Sequence, residues 1–455
     1  MSYVIKRYVI YHPDNTGLKF NFPAIFTQDG LLKSYLSFLV CHANKSQSWI
    51  ERNVFSIKIL IDYMHANEGI IMGGTELLRS FTYCLSSGTV NVEGNDPSGL
   101  YWKPRKSSDA RSILGHITQY CDFIDRKGGD FIPKINPFRE ATTVEYRLNS
   151  CSYYRKKSNV FLNHLANQTE INKKARRVRE VQSKQSCLID VEPAVRFPES
   201  EIDDFINKGC ITKKWEVVDG DRIFVEVPDY GLQLMILLLH YGGIRHSELF
   251  HIYTCDIIVL KKECEAIVKV YHPSQGGSPD LRYSNRIDYL KSYGLKPRNE
   301  YRKSQVLHAG WKNPLLTHRD NSFEVIFSPS SISQLFLMKL KQYLASGQRN
   351  TQNGPSHPFL FTNDKGGIQT KKNFVRKYES ALVRVGLESG KYHGHSPHSH
   401  RHAYGYRLRQ FGFDEVEIQK AMHHKSPFSC KVYFQPTGEE LRTKLRARLD
   451  GRIDG

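Results

Sequence analysis

The apolar positions of this chain follow a helical period early, and the pattern shortens to a strand period further on. From 29 to 66 they recur at three- and four-residue spacing, through Leu31, Leu32, Tyr35, Leu36 and Leu39 and then Val54, Ile57, Leu60, Ile61 and Met64. That spacing predicts two amphipathic helices. Residues 110–126 repeat it, with Ile113, Leu114, Ile117, Tyr120 and Ile124 inward, and 150–165 is a further helical candidate. Residues 3–11 alternate loosely, as a strand or an arm, and 85–100 reads as loop. The run 231–241 is almost wholly apolar, which predicts a buried helix too short to cross a bilayer. Beyond it, 266–271 is apolar and β-branched, and 324–327 ahead of Ser328-Pro329 is a second strand candidate. The fold expected is mainly α with a small β-sheet.

Three short helices are predicted near the end. Ser396 and Pro397 form a cap-plus-proline start, with His398 and Arg401 projecting from one face of the first turns. Such an N-terminus, with its free N–H groups, suits a bound phosphate. Gly412 breaks this helix, a second reads over 414–423, and Lys425-Ser426-Pro427 restarts the chain toward Tyr433, nine residues after His424. His398 and His402, one turn apart, are also a fair pair for zinc, but no Cys-x-x-Cys or Glu-rich partner stands near to complete a site.

Charge changes the picture. With 65 Lys plus Arg against 46 Asp plus Glu, the net charge is +19, which points to a polyanionic partner, nucleic acid before membrane surface. A chain of 455 residues has room for two or more domains. Nine cysteines without metal-type spacing fit reduced thiols in a cytoplasm. The N-terminal apolar tract is too short and punctuated for a signal peptide. The run 172–184 is dense in Lys and Arg, and reads either as a solvated linker or as a connector lying along a duplex backbone. Its candidate DNA contacts are Lys173, Lys174, Arg176, Arg177 and Arg179.

Taken together, Gly243-Ile244-Arg245-His246-Ser247-Glu248-Leu249, then His398-x-x-Arg401-His402, then His424 and Tyr433 resemble the tyrosine recombinase (phage integrase) superfamily in order and spacing. The resemblance implies a helical core-binding domain closing one half of a clamp on double-stranded DNA, followed by a catalytic domain. In that division 1–26 is an N-terminal arm, 27–171 the core-binding domain, 172–190 a basic linker, and 191–455 the catalytic domain ending in a C-terminal helix. It implies Arg245 and Arg401 on the phosphate, His398 as general base, His424 as a donor to the phosphate, and Tyr433 as nucleophile. It further implies a 3′-phosphotyrosyl intermediate with no metal, nucleotide or other cofactor. The family departure His423-His424, where a Gly is usual at the first position, leaves two histidines competing, and the spacing to Tyr433 favours His424.

The family also places a catalytic lysine in a β-hairpin between its first arginine and its His-x-x-Arg. Lys312, in a Gly-containing turn ahead of a strand, is the choice here, with Lys303 and Lys269 as rivals. The amphipathic tail 439–452, with Leu441, Leu445 and Leu449 on one side, resembles the family segment that docks on a neighbouring protomer in a homotetramer on DNA. The reading expects a cytoplasmic, nucleoid-associated recombinase of a phage or mobile element, with accessory proteins conceivable and a resemblance to gamma-mobile-trio recombinases in the Gly310-Trp311-Lys312-Asn313-Pro314 turn. The competing readings are a type IB topoisomerase-like enzyme and a DNA-binding relative that has lost catalysis.

Overall fold

The computed structural model describes residues 4–12, 15, 17, 19–70, 73–128, 134–157, 168–183, 194–218, 221–350, 356–435, 441–443 and 445–446. The chain divides into two units, Met1–Ile189 and Asp190–Gly455. Both are mainly helical, with small antiparallel sheets.

In the first unit β1 (Ile5–Tyr11) pairs with β2 (Phe20–Thr27), and β3 (Gly30–Leu31) adds to β2. The stretch expected as an arm therefore holds a hairpin, anchored because Val4, Phe22 and Ile25 sink into the core. Helices α1 (Lys33–Cys41) and α2 (Gln47–Ala66) follow, and the Ser46 side chain caps α2 by accepting from the Trp49 N–H at 3.2 Å. Helix α3 (Gly74–Ser87) was not foreseen: Leu78, Phe81 and Leu85 carry the helical spacing, but no capping side chain marks its glycine start. Helix α4 (Ser107–Gly128) buries Ile113, Leu114 and Ile117 against this core.

The unit closes with β4 (Phe138–Glu140), α5 (Thr143–Lys157), α6 (Gln168–Ala175) and β5 (Arg177–Arg179). Helix α5 begins at Thr143 rather than 150, and the rest of the expected helix, 158–165, lies outside the described residues. The basic run is folded as well, up to 183, while 184–190 lies outside the described residues. Strand β5 pairs with β4, and Val181 is buried with its N–H donating to Asn136 Oδ1 at 2.9 Å. A segment read from charge alone as a linker is thus held in place by its two valines, Val178 and Val181, and by neutralisation of Arg179.

The second unit is built around one buried helix. After α7 (Ile202–Asp204) and a wide helical turn at Phe205–Gly209, β6 (Ile211–Val218) and β7 (Asp221–Pro228) form an antiparallel hairpin. Helix α8 (Tyr230–His240) then runs through the core, capped by the Asp229 carboxylate on the Leu232 N–H at 2.9 Å. Every residue of it from Leu232 to His240 is buried. The sheet β8 (Ile257–Leu260), β9 (Glu265–Tyr271) and β10 (Ser322–Glu324) has the order β10-β9-β8. It turns Ala266, Val268 and Val270 into the same core. Strand β10 starts two residues earlier than expected and stops at Glu324, because by Ser328 the backbone N–H has turned to Tyr241 O at 2.9 Å, at the end of α8.

The connection from β9 to β10 spans 272–321 and contains α9 (Arg286–Lys291). Two buried guanidiniums fasten it. Arg286 pairs with the Asp256 carboxylate and lies 4.1 and 4.0 Å from the Tyr253 and Tyr271 ring centres. Arg298 donates to the carbonyls of Leu307 at 3.0 Å and Gln369 at 2.9 Å. Helices α10 (Ile332–Ala345), α11 (Lys371–Arg384), α12 (Pro397–Gln410), α13 (Glu415–Ala421) and α14 (Lys431–Phe434) complete the unit. Of the expected tail helix 439–452, residues 441–443 and 445–446 are helical; Leu449 lies outside the described residues.

Candidate active site

Helix α8 ends where the chain needs no side chains. Gly243 has φ +62°, and a Cβ there would fall inside the Tyr404 ring. Two residues on, the Arg245 N–H and guanidinium both donate to the Glu248 carboxylate, at 2.7 and 2.9 Å. Glu248 is buried, while the Arg245 side chain keeps 17% of its surface open. The carboxylate therefore orients the guanidinium and leaves one side of it free. A Gly243→Ala protein is expected to lose on the order of 3 kcal/mol of stability, from the clash and the left-handed backbone together; urea unfolding monitored by circular dichroism checks this.

On α12, Ser396 occupies the N-cap and Pro397 the first helical position, with the Ser396 hydroxyl on that of Ser399 at 2.8 Å. His398 reaches the surface, and its ring meets that of His402 one turn later, centre to centre 4.6 Å. Arg401 is buried and donates to the carbonyls of Gly243 and Met422. One guanidinium thus ties the end of α8, the middle of α12 and the end of α13. Burial, with the nearby Arg245 charge, lowers its pKa to about 10, so it remains cationic at neutral pH. Behind this face, His400 links His240 and the Tyr378 hydroxyl, each at 3.0 Å, and Arg407 joins His240 to Glu199.

Helix α13 starts with an Asp414–Glu417 capping box. It ends in a turn at His423, φ +53°. There the two competing histidines part. The His423 ring stacks on Phe323 at 3.9 Å, while the His424 ring lies parallel to that of Tyr433, 6.4 Å away. His424 Nδ1 is 3.1 Å from Cys430 Sγ. Tyr433 is 2% exposed, its ring against Gly405 and its hydroxyl 3.3 Å from His402 Nδ1. Burial pushes the phenol up to about 12, and the Arg401 charge opposes this.

The lysine candidates separate in the same way. The Trp311 ring sits edge-on to His251 and His272, at 5.5 and 5.4 Å, and anchors the turn whose next residue, Lys312, is exposed. Leu315 N–H donates to His423 O at 3.0 Å, which fastens this turn to the histidine pair. The Lys312 charge is felt at His398. Lys303 neighbours His308, and Lys269 on β9 faces Asp320 at 4.0 Å.

The structure therefore gathers Arg245, Lys312, His398, Arg401, His424 and Tyr433 at one end of α8. It adds His402 and Cys430, which were not assigned this role; the only sign was their spacing from His398 and Tyr433. The basic-run residues belong to the first unit. Lys173, Lys174, Arg176 and Arg177 are exposed there. Arg179 donates to both Asp122 oxygens at 2.7 and 2.6 Å and lies over Phe138. Among the described residues no three His, Cys, Asp or Glu side chains converge to hold a metal ion. His402 turns its Nδ1 to the Tyr433 hydroxyl.

Crowding in protein keeps these imidazoles neutral. Burial is the first cause at each, pushing His246 down to about 4 and His251, His423 and His424 to about 3, with neighbouring cations adding to it. An unfolded chain binds protons at these positions from about pH 6.5 downward, while the native one does not until about pH 4–3. Stability is therefore expected to be flat above pH 7 and to fall as pH drops from 6.5 toward 4. Thermal unfolding across that range should show a Tm lower by several degrees per pH unit, roughly 2–4 °C for each kcal/mol lost.

Residues 329–440 match the Phage integrase family. The chain is 26% identical over 162 residues to the tyrosine recombinase XerD of Chlorobaculum tepidum, covering 34% of this chain and 48% of that protein. It is 30% identical over 107 residues to XerD of Agrobacterium fabrum, covering 23% and 31%. The chain spans between about a third and a half of the length of these curated relatives. Among solved structures, a XerH site-specific recombinase bound to a palindromic difH substrate aligns at 13% identity over 83% of this chain and 97% of that one, with a TM-score of 0.38. The matched segment, which holds His398, Arg401, His424 and Tyr433, is an integrase-type domain. That segment is similar to tyrosine recombinases.

Proposed function

We propose that this chain is a site-specific DNA recombinase that cuts and rejoins double-stranded DNA through a 3′-phosphotyrosyl intermediate on Tyr433. The observation that carries the reading is the convergence of two arginines, two neutral imidazoles and a buried phenol at one end of α8. A phosphodiester resists attack because of its own charge, and two guanidinium forks on its non-bridging oxygens offset that. His398, whose ring lies 4.6 Å from that of His402, the imidazole that meets the Tyr433 hydroxyl at 3.3 Å, takes the phenol proton. Tyr433 Oη bonds to phosphorus as the P–O5′ bond breaks, and Lys312 delivers a proton to the departing 5′-oxygen. Rejoining reverses these steps on a partner 5′-hydroxyl, the bond energy having stayed in the phosphotyrosine.

In this reading the exposed Lys173, Lys174, Arg176 and Arg177 contact phosphates, and the tail helix joins protomers in a homotetramer on DNA. Among the described residues no helix is long and apolar enough to cross a membrane. A cytoplasmic place on the nucleoid of a phage- or element-bearing host suits the reading. The test is a nicked duplex carrying the enzyme's own site, taken from the DNA flanking its gene. The unmutated protein is expected to form an adduct that survives boiling in detergent, mapped to Tyr433 by peptide mass spectrometry, and Tyr433→Phe none. An adduct persisting in that variant, through Tyr404 or Tyr406, overturns the assignment. Relaxation of plasmids lacking the site would favour the topoisomerase reading.

A further inference from the structure

One buried thiol touches this site and has no part in the chemistry above. Cys430 is fully buried, directly after the turn Pro427–Ser429 and directly before α14. Its carbonyl accepts the Tyr433 N–H at 2.9 Å, while its sulfur lies 3.1 Å from His424 Nδ1. A single residue therefore joins the backbone of the nucleophile's helix to the ring stacked beside it.

A neutral imidazole carries one proton, and the partner of one nitrogen decides which nitrogen bears it. Sulfur is a weak acceptor, whereas an unprotonated imidazole nitrogen is a good one, so a protonated thiol at this distance pairs as S–H to Nδ1. The thiol is protonated because burial pushes its pKa up to about 11. His424 has no other side-chain hydrogen bond to protein among the described residues; its backbone carbonyl takes the Gln419 amide at 3.0 Å.

We infer that Cys430 is a positioning residue for His424: its thiol donates to Nδ1 and thereby holds the imidazole proton on Nε2, the nitrogen left to donate to a phosphate oxygen. The phosphate role rests on the recombinase reading; the tautomer does not. Without the thiol, the proton distributes between the two nitrogens, and molecules carrying it on Nδ1 have no donor for the phosphate.

The test uses full-length protein labelled with ¹⁵N-histidine, the His424 signals being assigned by their loss in His424→Gln. Two-bond ¹H–¹⁵N spectra at pH 7 should show the Nε2–H tautomer in the unmutated protein and in Cys430→Ser, which keeps a donor. Cys430→Ala should show a mixture. On the nicked duplex, Cys430→Ala should cleave more slowly in proportion to the Nδ1–H fraction in its spectrum, about 2-fold for an even mixture, with unchanged DNA affinity, and Cys430→Ser should recover the rate. An Nδ1–H tautomer in the unmutated protein overturns the inference, as does an unaltered tautomer in Cys430→Ala. The unmutated and Ser spectra decide the matter even if the Ala variant does not fold. If Tyr433 forms its adduct but Cys430→Ala cleaves at full rate, this inference fails alone. If no adduct forms while the spectra follow Cys430, the recombinase reading fails and the contact stands.

Discussion

An Arg401→Lys protein is expected to cleave a nicked duplex more slowly by ~10²–10³-fold, the usual consequence of removing one positioned donor from a developing charge. Two effects combine here. An ammonium cannot place two parallel N–H donors on a phosphate. It also cannot hold the carbonyls of Gly243 and Met422 at once, so the ends of α8 and α13 lose their common tie. Arg245→Lys makes the comparison useful, because among the described residues that guanidinium is held by Glu248 alone, on its own turn. It should lose a comparable factor in rate while melting close to the unmutated protein, whereas Arg401→Lys should also melt lower. Near-normal cleavage by either variant removes that arginine from the site.

The second large effect concerns Lys312. The departing 5′-oxygen is a poor leaving group at neutral pH unless a positioned acid protonates it, and such help contributes ~10²–10⁴-fold. Replacing the bridging 5′-oxygen by sulfur gives a leaving group that needs no proton. Lys312→Ala should therefore cleave ordinary DNA slowly and the sulfur-bridged duplex about as fast as the unmutated protein does. Lys303→Ala and Lys269→Ala should show no such selective rescue. Rescue of one of these instead moves the acid to that position; rescue of none points to a histidine.

Much of the site was legible in the sequence because its parts are local. The Ser396-Pro397 start, the Gly412 stop and the Asp414 cap mark three short helices, and the interval from His424 to Tyr433 sets where the last one lies. The apolar run of α8 could be read as buried because no polar face interrupts it. What could not be read depends on contacts made across the chain. The spacing to Tyr433 pointed to His424, but not to what holds its neighbour away: Phe323 takes the His423 ring and Leu315 pairs with its carbonyl. The basic run read as a connector because its charges hide two valines, and only the pairing of β5 with β4 shows them buried or half-buried. Helix α3 was missed because its start carries glycines where a capping side chain would have marked it.

The long β9–β10 connection has a consequence for anyone wishing to redesign this protein. Fifty residues between neighbouring strands look removable, and a tight turn would close the gap. Yet Arg286, clamped between Tyr253 and Tyr271, is the counter-charge of Asp256, the buried residue immediately before β8. Trimming the connection would strand that carboxylate in an apolar interior, a change that typically costs about 3–5 kcal/mol. It would also take away Arg298 and the Trp311 wedge that sets the lysine turn. The segment is a keystone, not an ornament: a minimal version of this protein would have to rebuild Asp256 and the lysine's support together.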